Sequence, residues 1–341
     1  MRSRCAVVPR GEGERARKYL SERGILRKDL RISRDGDSIL IPVAARGKVP
    51  YATRTAEFAP SEKRPTSYKE HVDLPRKLHP LLPSAFDIVG DVAIIKLPDE
   101  LTGHASAIGK AIIGAQKSIK SVALDEGVEG EARIRKLLVI AGRKTMLTVH
   151  KENGLRLKVD PSVVYFSPRL ASERARVAGQ VGEGENVIDM FAGVGPFSLL
   201  VARRVKSSRI DAIDINTKAI KLLKENIELN KTANVRAHIG DASKIVPRLK
   251  GADRVIMNLP HSAHEFLKCA LRVCRKGATI HLYQHITRDE TDGRWGEIAS
   301  KCMEAGAKVR LQRYVIVHPY SPSSGIVCYD IKIVGFTRAR G

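Results

Sequence analysis

Val187-Ile-Asp-Met-Phe-Ala-Gly-Val-Gly-Pro-Phe197 is the stretch whose reading decides the fold. Val187 and Ile188 suit a buried strand, and Asp189 falls at that strand's carboxyl end. A tight turn, Gly193-Val-Gly195, follows, and the apolar run from Phe197 to Val201 reads as a helix. Strand, glycine turn and helix form the opening unit of a doubly wound α/β domain, whose ligands bind beyond the carboxyl ends of the strands. Glycine suits such a turn because a Cβ would hold a ligand off the backbone.

The dinucleotide fingerprint needs a third glycine three residues after the second, and Ser198 stands there. An acid, Asp189, instead precedes the first glycine by four residues, an arrangement that resembles S-adenosylmethionine-dependent methyltransferases. In that reading Asp189 holds the methionine end of the cofactor or its water, with Phe191, Gly193 and Gly195 around it. The second strand, residues 209–213, ends at Asp214, whose carboxylate can accept from both ribose hydroxyls; a dehydrogenase also places an acid here. The third, residues 235–239, runs into Gly240-Asp241-Ala242, where Asp241 can take the adenine amino group. The fourth, residues 254–257, ends in Asn258-Leu259-Pro260. Four strand ends carrying suitable groups weigh more than one glycine pair.

The 341 residues allow two or three domains. Lys and Arg number 60 against 37 Asp and Glu, a net charge of +23, which is the footprint of a polyanionic partner. A basic surface suited to heat is the plainer explanation. Aromatic residues, at 5%, are too few for a stacking platform that binds single strands. Cys5, Cys269, Cys274, Cys302 and Cys328 are odd in number and lack zinc-knuckle spacing, so no metal site is expected and they read as reduced, mostly buried thiols. The amino-terminal stretch lacks the apolar run of a signal peptide, and no segment reaches membrane-span length, which implies a cytoplasmic, non-membrane protein.

Residues 1–58 read as a small α/β module: a strand at 5–8, a polar helix at 11–23 with Ala16, Tyr19 and Leu20 inward, and short strands at 30–32 and 39–43. Prolines 60, 65, 75, 80 and 83 mark residues 59–84 as a linker. Residues 85–165 form an α+β middle domain with a helix at 105–119, strands at 122–124 and 135–140, and a hairpin at 146–159 turning at Glu152-Asn153-Gly154. Residues 166–341 carry the doubly wound domain: a helix at 171–179, the strands above, a fifth strand at 279–283, and a closing hairpin of 309–318 and 325–334.

Together these motifs resemble a known family. Val164-Tyr-Phe-Ser-Pro-Arg-Leu170 with Glu173-Arg174, Asp189 to Phe197, and Asn258-Leu-Pro260 with Ala263 are similar to the archaeal and eukaryotic tRNA (guanine-N1)-methyltransferases, which modify guanosine 37. The stretch from Arg2 to Val43 resembles their tRNA-docking module and Tyr320-Ser-Pro322 their closing hairpin. In Asp214-Ile-Asn-Thr217 the chain departs from the family, which has proline after the asparagine. The resemblance implies a seven-stranded Rossmann-like catalytic domain, S-adenosylmethionine as cofactor and tRNA as partner, with the chain expected to act as a monomer. It also implies a three-part site. Glu173 matches the base that removes the guanine N1 proton, a role worth about 10²–10⁴ in rate; its plainer reading is a surface acid paired with Arg176 or Arg169. Arg133 matches the arginine that holds O6, with Arg135 close enough on one strand to be confused with it. Asn258 orients the guanine edge and Pro260 stiffens the turn.

Three rivals stand beside this reading. A wyosine-pathway transferase on the same fold would be expected to have lost Asn258-Leu-Pro260, which is intact. A cytosine-C5 methylase would need a cysteine near the fourth strand, where there is none. A non-catalytic RNA-binding protein would have no need of Asp189, Asp214, Asp241 and Asn258 together.

Overall fold

The fold is described from a computed structural model covering residues 1–61, 67–129, 134–249, 251–287, 290–321 and 324–337. The chain divides into two compact units, Met1–His71 and Val72–Gly341.

In the first unit the strands lie in the order Ser33–Asp35, Ser38–Pro42, Arg2–Pro9, Ala52–Glu57, all pairs antiparallel. Helix Gly13–Glu22 buries Ala16 and Leu20 against Ala6, Val8, Ile41 and Val43, the face its spacing predicts. The expected strand at 30–32 is a single bridge from Leu30 to Pro60, and the short strand begins at Ser33. Ala52–Glu57, of sequence ATRTAE, is a strand that no apolar alternation announces; it is a largely exposed edge held by backbone pairing to Arg2–Pro9, with Ala56 packed on the cluster of Cys5, Leu30, Leu40 and Phe58 and Arg54 bound to Asp35.

The division falls inside the proline-rich stretch, read from sequence as a boundary or semi-rigid linker, and apolar residues on both sides of it are buried. Tyr68, Val72, Leu74 and Leu82 are buried, with 3-10 turns at Tyr68–Glu70 and Arg76–Leu81. Proline removes backbone donors, but it does not stop the apolar residues between prolines from packing.

The second unit contains a four-stranded sheet in the order Asp87–Val89, Val92–Ile95, Ser121–Glu129, Ile134–Gly142. Its parallel pair is joined through helix Ala105–Ala115. That helix stops short of the predicted 119, although Ile119 is still buried in the turn beyond it. The hairpin Thr148–Glu152 and Leu155–Val159 turns on Asn153 (φ 46°) and Gly154 (φ 78°), the two positive φ values that a tight type I′ turn requires.

The remaining sheet positions the site. Its strands are β1 (Asn186–Asp189), β2 (Arg209–Asp214), β3 (Val235–Ile239), β4 (Ala252–Met257), β5 (Cys274–Thr287), β6 (Ala307–Ser321) and β7 (Ser324–Phe336), in the order β3-β2-β1-β4-β5-β7-β6. β1 to β5 are parallel, and the closing hairpin inserts β7 antiparallel beside β5, leaving β6 at the edge. Helices α1 (Ala171–Ala178), α2 (Pro196–Arg204), α3 (Thr217–Asn230), α4 (Leu267–Val273) and α5 (Thr291–Glu304) accompany it. Residues alternate between two cores: Val187 joins Phe197, Leu199 and Leu223, while Ile188 joins Leu267, Leu271 and Ile298. Strand order reverses between β1 and β4, the switch point at which doubly wound sheets leave a ligand crevice beyond the carboxyl ends.

One buried side chain ties the hairpin to this crevice. Asn226 on α3 accepts from Lys158 N at 2.7 Å and donates to Lys158 O and Val194 O, both at 3.1 Å. It therefore holds the glycine turn against the preceding hairpin. Four of the five cysteines are buried and all are free thiols. Among the described residues no helix is long and apolar enough to cross a membrane.

Candidate active site

The ends of β1, β2 and β3 form one half of the site. Asp189 is buried; its Oδ2 accepts from Ser198 Oγ at 2.7 Å, and its Oδ1 has no partner. Burial, with a smaller contribution from the Asp214 charge, pushes its pKa up to about 7. Asp214 accepts from Gly193 N at 2.7 Å and Asn216 N at 2.8 Å, so β2's last residue pins the glycine turn after β1. Burial raises its pKa too, against the pull of those amides. Gly240 N donates to Asp214 O, which joins the ends of β2 and β3. Asp241 caps the short helix Ala242–Ile245 through Ser243 N at 2.8 Å, and Ala242 is buried beneath it.

The two turn glycines serve different purposes. Gly193 has φ 56°, and a Cβ there would come no nearer than 3.8 Å to Tyr165 O, so it would enter open space. Gly195 has φ 86°, and a Cβ there would lie 2.2 Å from Leu223 Cδ1. Gly195 thus lets α2 approach α3, a packing role rather than the ligand approach that the sequence suggests for both. Phe191 is half-buried against Phe266, with ring centroids 5.1 Å apart. Ile215 (68% exposed) and Ile239 (52%) are large apolar side chains bared at the ends of β2 and β3. An unpartnered buried carboxylate oxygen, an open glycine turn and bare aliphatic side chains at strand ends fit S-adenosylmethionine.

The other half centres on Glu173, in the first turn of α1. It is 5% exposed. Tyr283 Oη donates to its Oε1 at 2.7 Å, and Arg176 donates to both oxygens, each at 2.7 Å. The plainer sequence reading, a pair with Arg176, is therefore present, but the pair is buried in the fold. Met257 and Leu282 are the last residues paired between β4 and β5, so Asn258 leaves the sheet beside Tyr283, which stays in β5 paired with Cys328 of β7. His285 N donates to Pro260 O at 2.8 Å and clips the Asn258-Leu-Pro260 turn to β5. Glu173, through Tyr283, accordingly borders the turn that carries Asn258.

Arg133 lies outside the described residues. Arg135 donates to Asp87 at 2.9 Å and lies 3.6 Å from Asp125, so its charge is committed within the four-stranded sheet. Sequence reasoning missed Tyr283 and Asp330 as partners of the Glu173–Arg176 pair. They lie 110 residues from Glu173 and 154 from Arg176 along the chain, and no local pattern marks them.

A sheet of this order, with acids at the ends of β1, β2 and β3 and Asn-Leu-Pro after β4, defines a doubly wound S-adenosylmethionine-dependent methyltransferase. Family models agree: residues 148–309 match the TRM5/TYW2 methyltransferase domain, 69–145 the TYW2 N-terminal domain and 5–47 the tRNA methyltransferase 5 N-terminal domain. The chain is 44% identical over 331 residues to the tRNA (guanine(37)-N(1))-methyltransferase Trm5b of Pyrococcus abyssi, covering 96% of this chain and 98% of that protein. The crystal structure of Pyrococcus abyssi Trm5b superposes with a TM-score of 0.76 at 42% identity, over 98% of this chain and 100% of that one. The complex of aTrm5 with tRNALeu superposes with a TM-score of 0.71 at 34% identity, over 96% and 99%. The chain belongs to the Trm5 family of tRNA (guanine(37)-N(1))-methyltransferases.

Proposed function

We propose that this chain methylates N1 of guanosine 37 in tRNA, with Glu173 as the general base. The observation that supports this most directly is the buried, oriented Glu173 carboxylate beside the Asn258 turn at the switch point of the sheet. S-adenosylmethionine, when bound, supplies an electrophilic methyl group. Asp189 and Asp214 hold its amino-acid and ribose ends, and Asp241 and Ala242 border its base. Guanine N1 carries a proton and becomes nucleophilic only as it loses it. Glu173 Oε2 accepts one hydrogen bond, from Arg176 Nε, and so keeps a lone pair for that proton. Negative charge then builds on O6. With Arg135 bound to Asp87 and Asp125, Arg133 is the guanidinium assigned to receive it. Asn258 orients the base edge, and Pro260 and its clip to His285 hold that turn in place.

Residues 1–71 serve as a tRNA-docking unit in this reading, with Arg15, Arg17 and Lys18 exposed on the outer face of helix Gly13–Glu22. One chain carries every assigned group, so a monomer in the cytoplasm suffices. The match of residues 69–145 to the TYW2 N-terminal model favours a second reading, aminocarboxypropyl transfer or methylation of a wyosine precursor at the same nucleotide. Mass spectrometry of nucleotide 37 after incubation with cofactor separates the products. Glu173→Gln should slow single-turnover methyl transfer about 10²-fold or more, with little change in affinity for cofactor or tRNA. Turnover near the wild-type rate from pH 6 to 9 would remove Glu173 from the role of base.

A further inference from the structure

Behind Glu173 a line of buried polar groups runs through the sheet to its opposite end. Arg176 donates to Glu173 on one side and to Asp330 of β7 on the other, at 2.5 Å to Oδ2 and 3.1 Å to Oδ1. Asp330 Oδ1 lies 2.6 Å from Nδ1 of His281 on β5. His281 Nε2 lies 2.8 Å from Arg254 Nη1 on β4, and Arg254 donates to Glu185 at 2.8 and 3.1 Å. A guanidinium can only donate, so His281 must accept at Nε2 and carry its proton on Nδ1, toward Asp330. His281 is therefore a neutral ring with a fixed tautomer.

His281, Cys328 and Asp330 also place three possible metal ligands within 4.8 Å of one another. Two guanidiniums already occupy their lone pairs, since Arg176 Nη2 also reaches Cys328 Sγ at 3.4 Å. A cation would meet two like charges there, so the cluster is a charge relay and not a metal site.

A carboxylate forked onto an arginine is a weak base, because a proton arriving on it must displace the cation's attraction. The fold resolves this conflict through Asp330. We propose that Asp330 is a positioning residue for methyl transfer: it binds the far side of Arg176, divides that one positive charge between two carboxylates, and so leaves Glu173 oriented yet able to accept the guanine N1 proton. This rests on Glu173 being the base.

Every ionisable group facing the pair is held in one state. On α1, burial would lower the Arg176 pKa, but its two carboxylates raise it instead. On β7, burial opposes the Asp330 charge, but His281 and Arg176 hold its pKa well below the usual range. Burial drives Cys328 on β7 and Tyr283 on β5 far up, so both stay protonated, and it lowers His281. On β4, Arg254 is bound to Glu185.

The test is the pH dependence of single-turnover methyl transfer by the full chain, with calorimetric affinities for S-adenosylmethionine and tRNA and a melting curve for each variant. Asp330→Asn gives Glu173 the whole charge of Arg176. Its acid limb should move to lower pH and its plateau should fall about three- to tenfold, because a weaker base accepts the proton less well, with both affinities unchanged. Asp330→Glu should restore the limb. Tyr283→Phe removes a donor from Glu173 and should move the limb the opposite way. If Asp330→Asn does not fold, His281→Asn decides. By weakening the hold on Asp330 Oδ1 it draws Arg176 toward Asp330, so the limb should move to higher pH. A slow Glu173→Gln with an unmoved limb in the folded Asp330 or His281 variant overturns the role of Asp330 alone. A fast Glu173→Gln overturns the base itself.

Discussion

The two turn glycines can be told apart by experiment, because the structure assigns a different reason to each. Alanine at Gly195 must adopt φ 86° and place its Cβ 2.2 Å from Leu223 Cδ1 and 3.3 Å from Leu199 Cδ1. Leu223 is 0% exposed, so it has no solvent to swing into. Left-handed backbone costs a residue with a Cβ about 1–2 kcal/mol, and overpacking a filled core costs about 1–3 kcal/mol more. Gly195→Ala should therefore lose about 2–5 kcal/mol. Gly193→Ala bears only the first of these costs, because the nearest atom to its Cβ is 3.8 Å away. The gap of about 1–3 kcal/mol corresponds to about two to five degrees in melting temperature for a unit of this size. Urea unfolding and thermal melts of the full chain measure it. Calorimetry should show the reverse order for the cofactor: Gly193→Ala projects a methyl into the open turn and should weaken S-adenosylmethionine about tenfold or more. If Gly195→Ala is as stable as Gly193→Ala, the packing assignment is wrong.

Asp189 supplies a pH prediction. Its raised pKa, about 7 against the ordinary value near 4 in the unfolded chain, means that the folded state holds the proton over that interval. The Asp189 contribution to stability is then fullest below about pH 4 and is lost as pH rises to about 7, by on the order of 4 kcal/mol. Asp189→Asn keeps the size but not the charge, so it should match the wild type near pH 4 and melt higher at pH 8; parallel melting curves would contradict this. Asp214→Ala should weaken S-adenosylmethionine binding and leave tRNA affinity nearly intact, and unchanged calorimetric affinity would remove Asp214 from the site. With a net charge of +23, log affinity for tRNA should fall linearly and steeply with log salt. A flat titration would assign the charge to something other than phosphate.

Periodicity and turn chemistry carried most of the architecture. Apolar runs placed β1 to β4 within two residues of their observed bounds, and Asn153-Gly154 foretold its hairpin, because these signals are local: a side chain's face and a backbone φ depend on near neighbours. Signals failed where formation depends on a distant partner. Ala52–Glu57 has no apolar face and exists because Arg2–Pro9 offers it hydrogen bonds. In the proline-rich stretch Tyr68, Val72, Leu74 and Leu82 are buried, which no periodic pattern in that stretch announces.

The site divides in the same way. The placing of Asp189, Gly193, Gly195, Asp214, Asp241 and Asn258 at or just after strand ends was legible from sequence, because a parallel sheet sends every such strand end to one edge. Sequence alone also placed Glu173 and Arg176 one helical turn apart, but it could not say whether the pair was a solvated surface bridge or a buried one. The fold buries the pair by setting Tyr283 and Asp330, from β5 and β7, against opposite sides of it, and the proposed base role rests on that burial. A carboxylate's proton affinity is set by the sum of charges and donors within a few ångströms. Such a sum is a property of the folded neighbourhood, and here its terms come from residues more than a hundred positions apart.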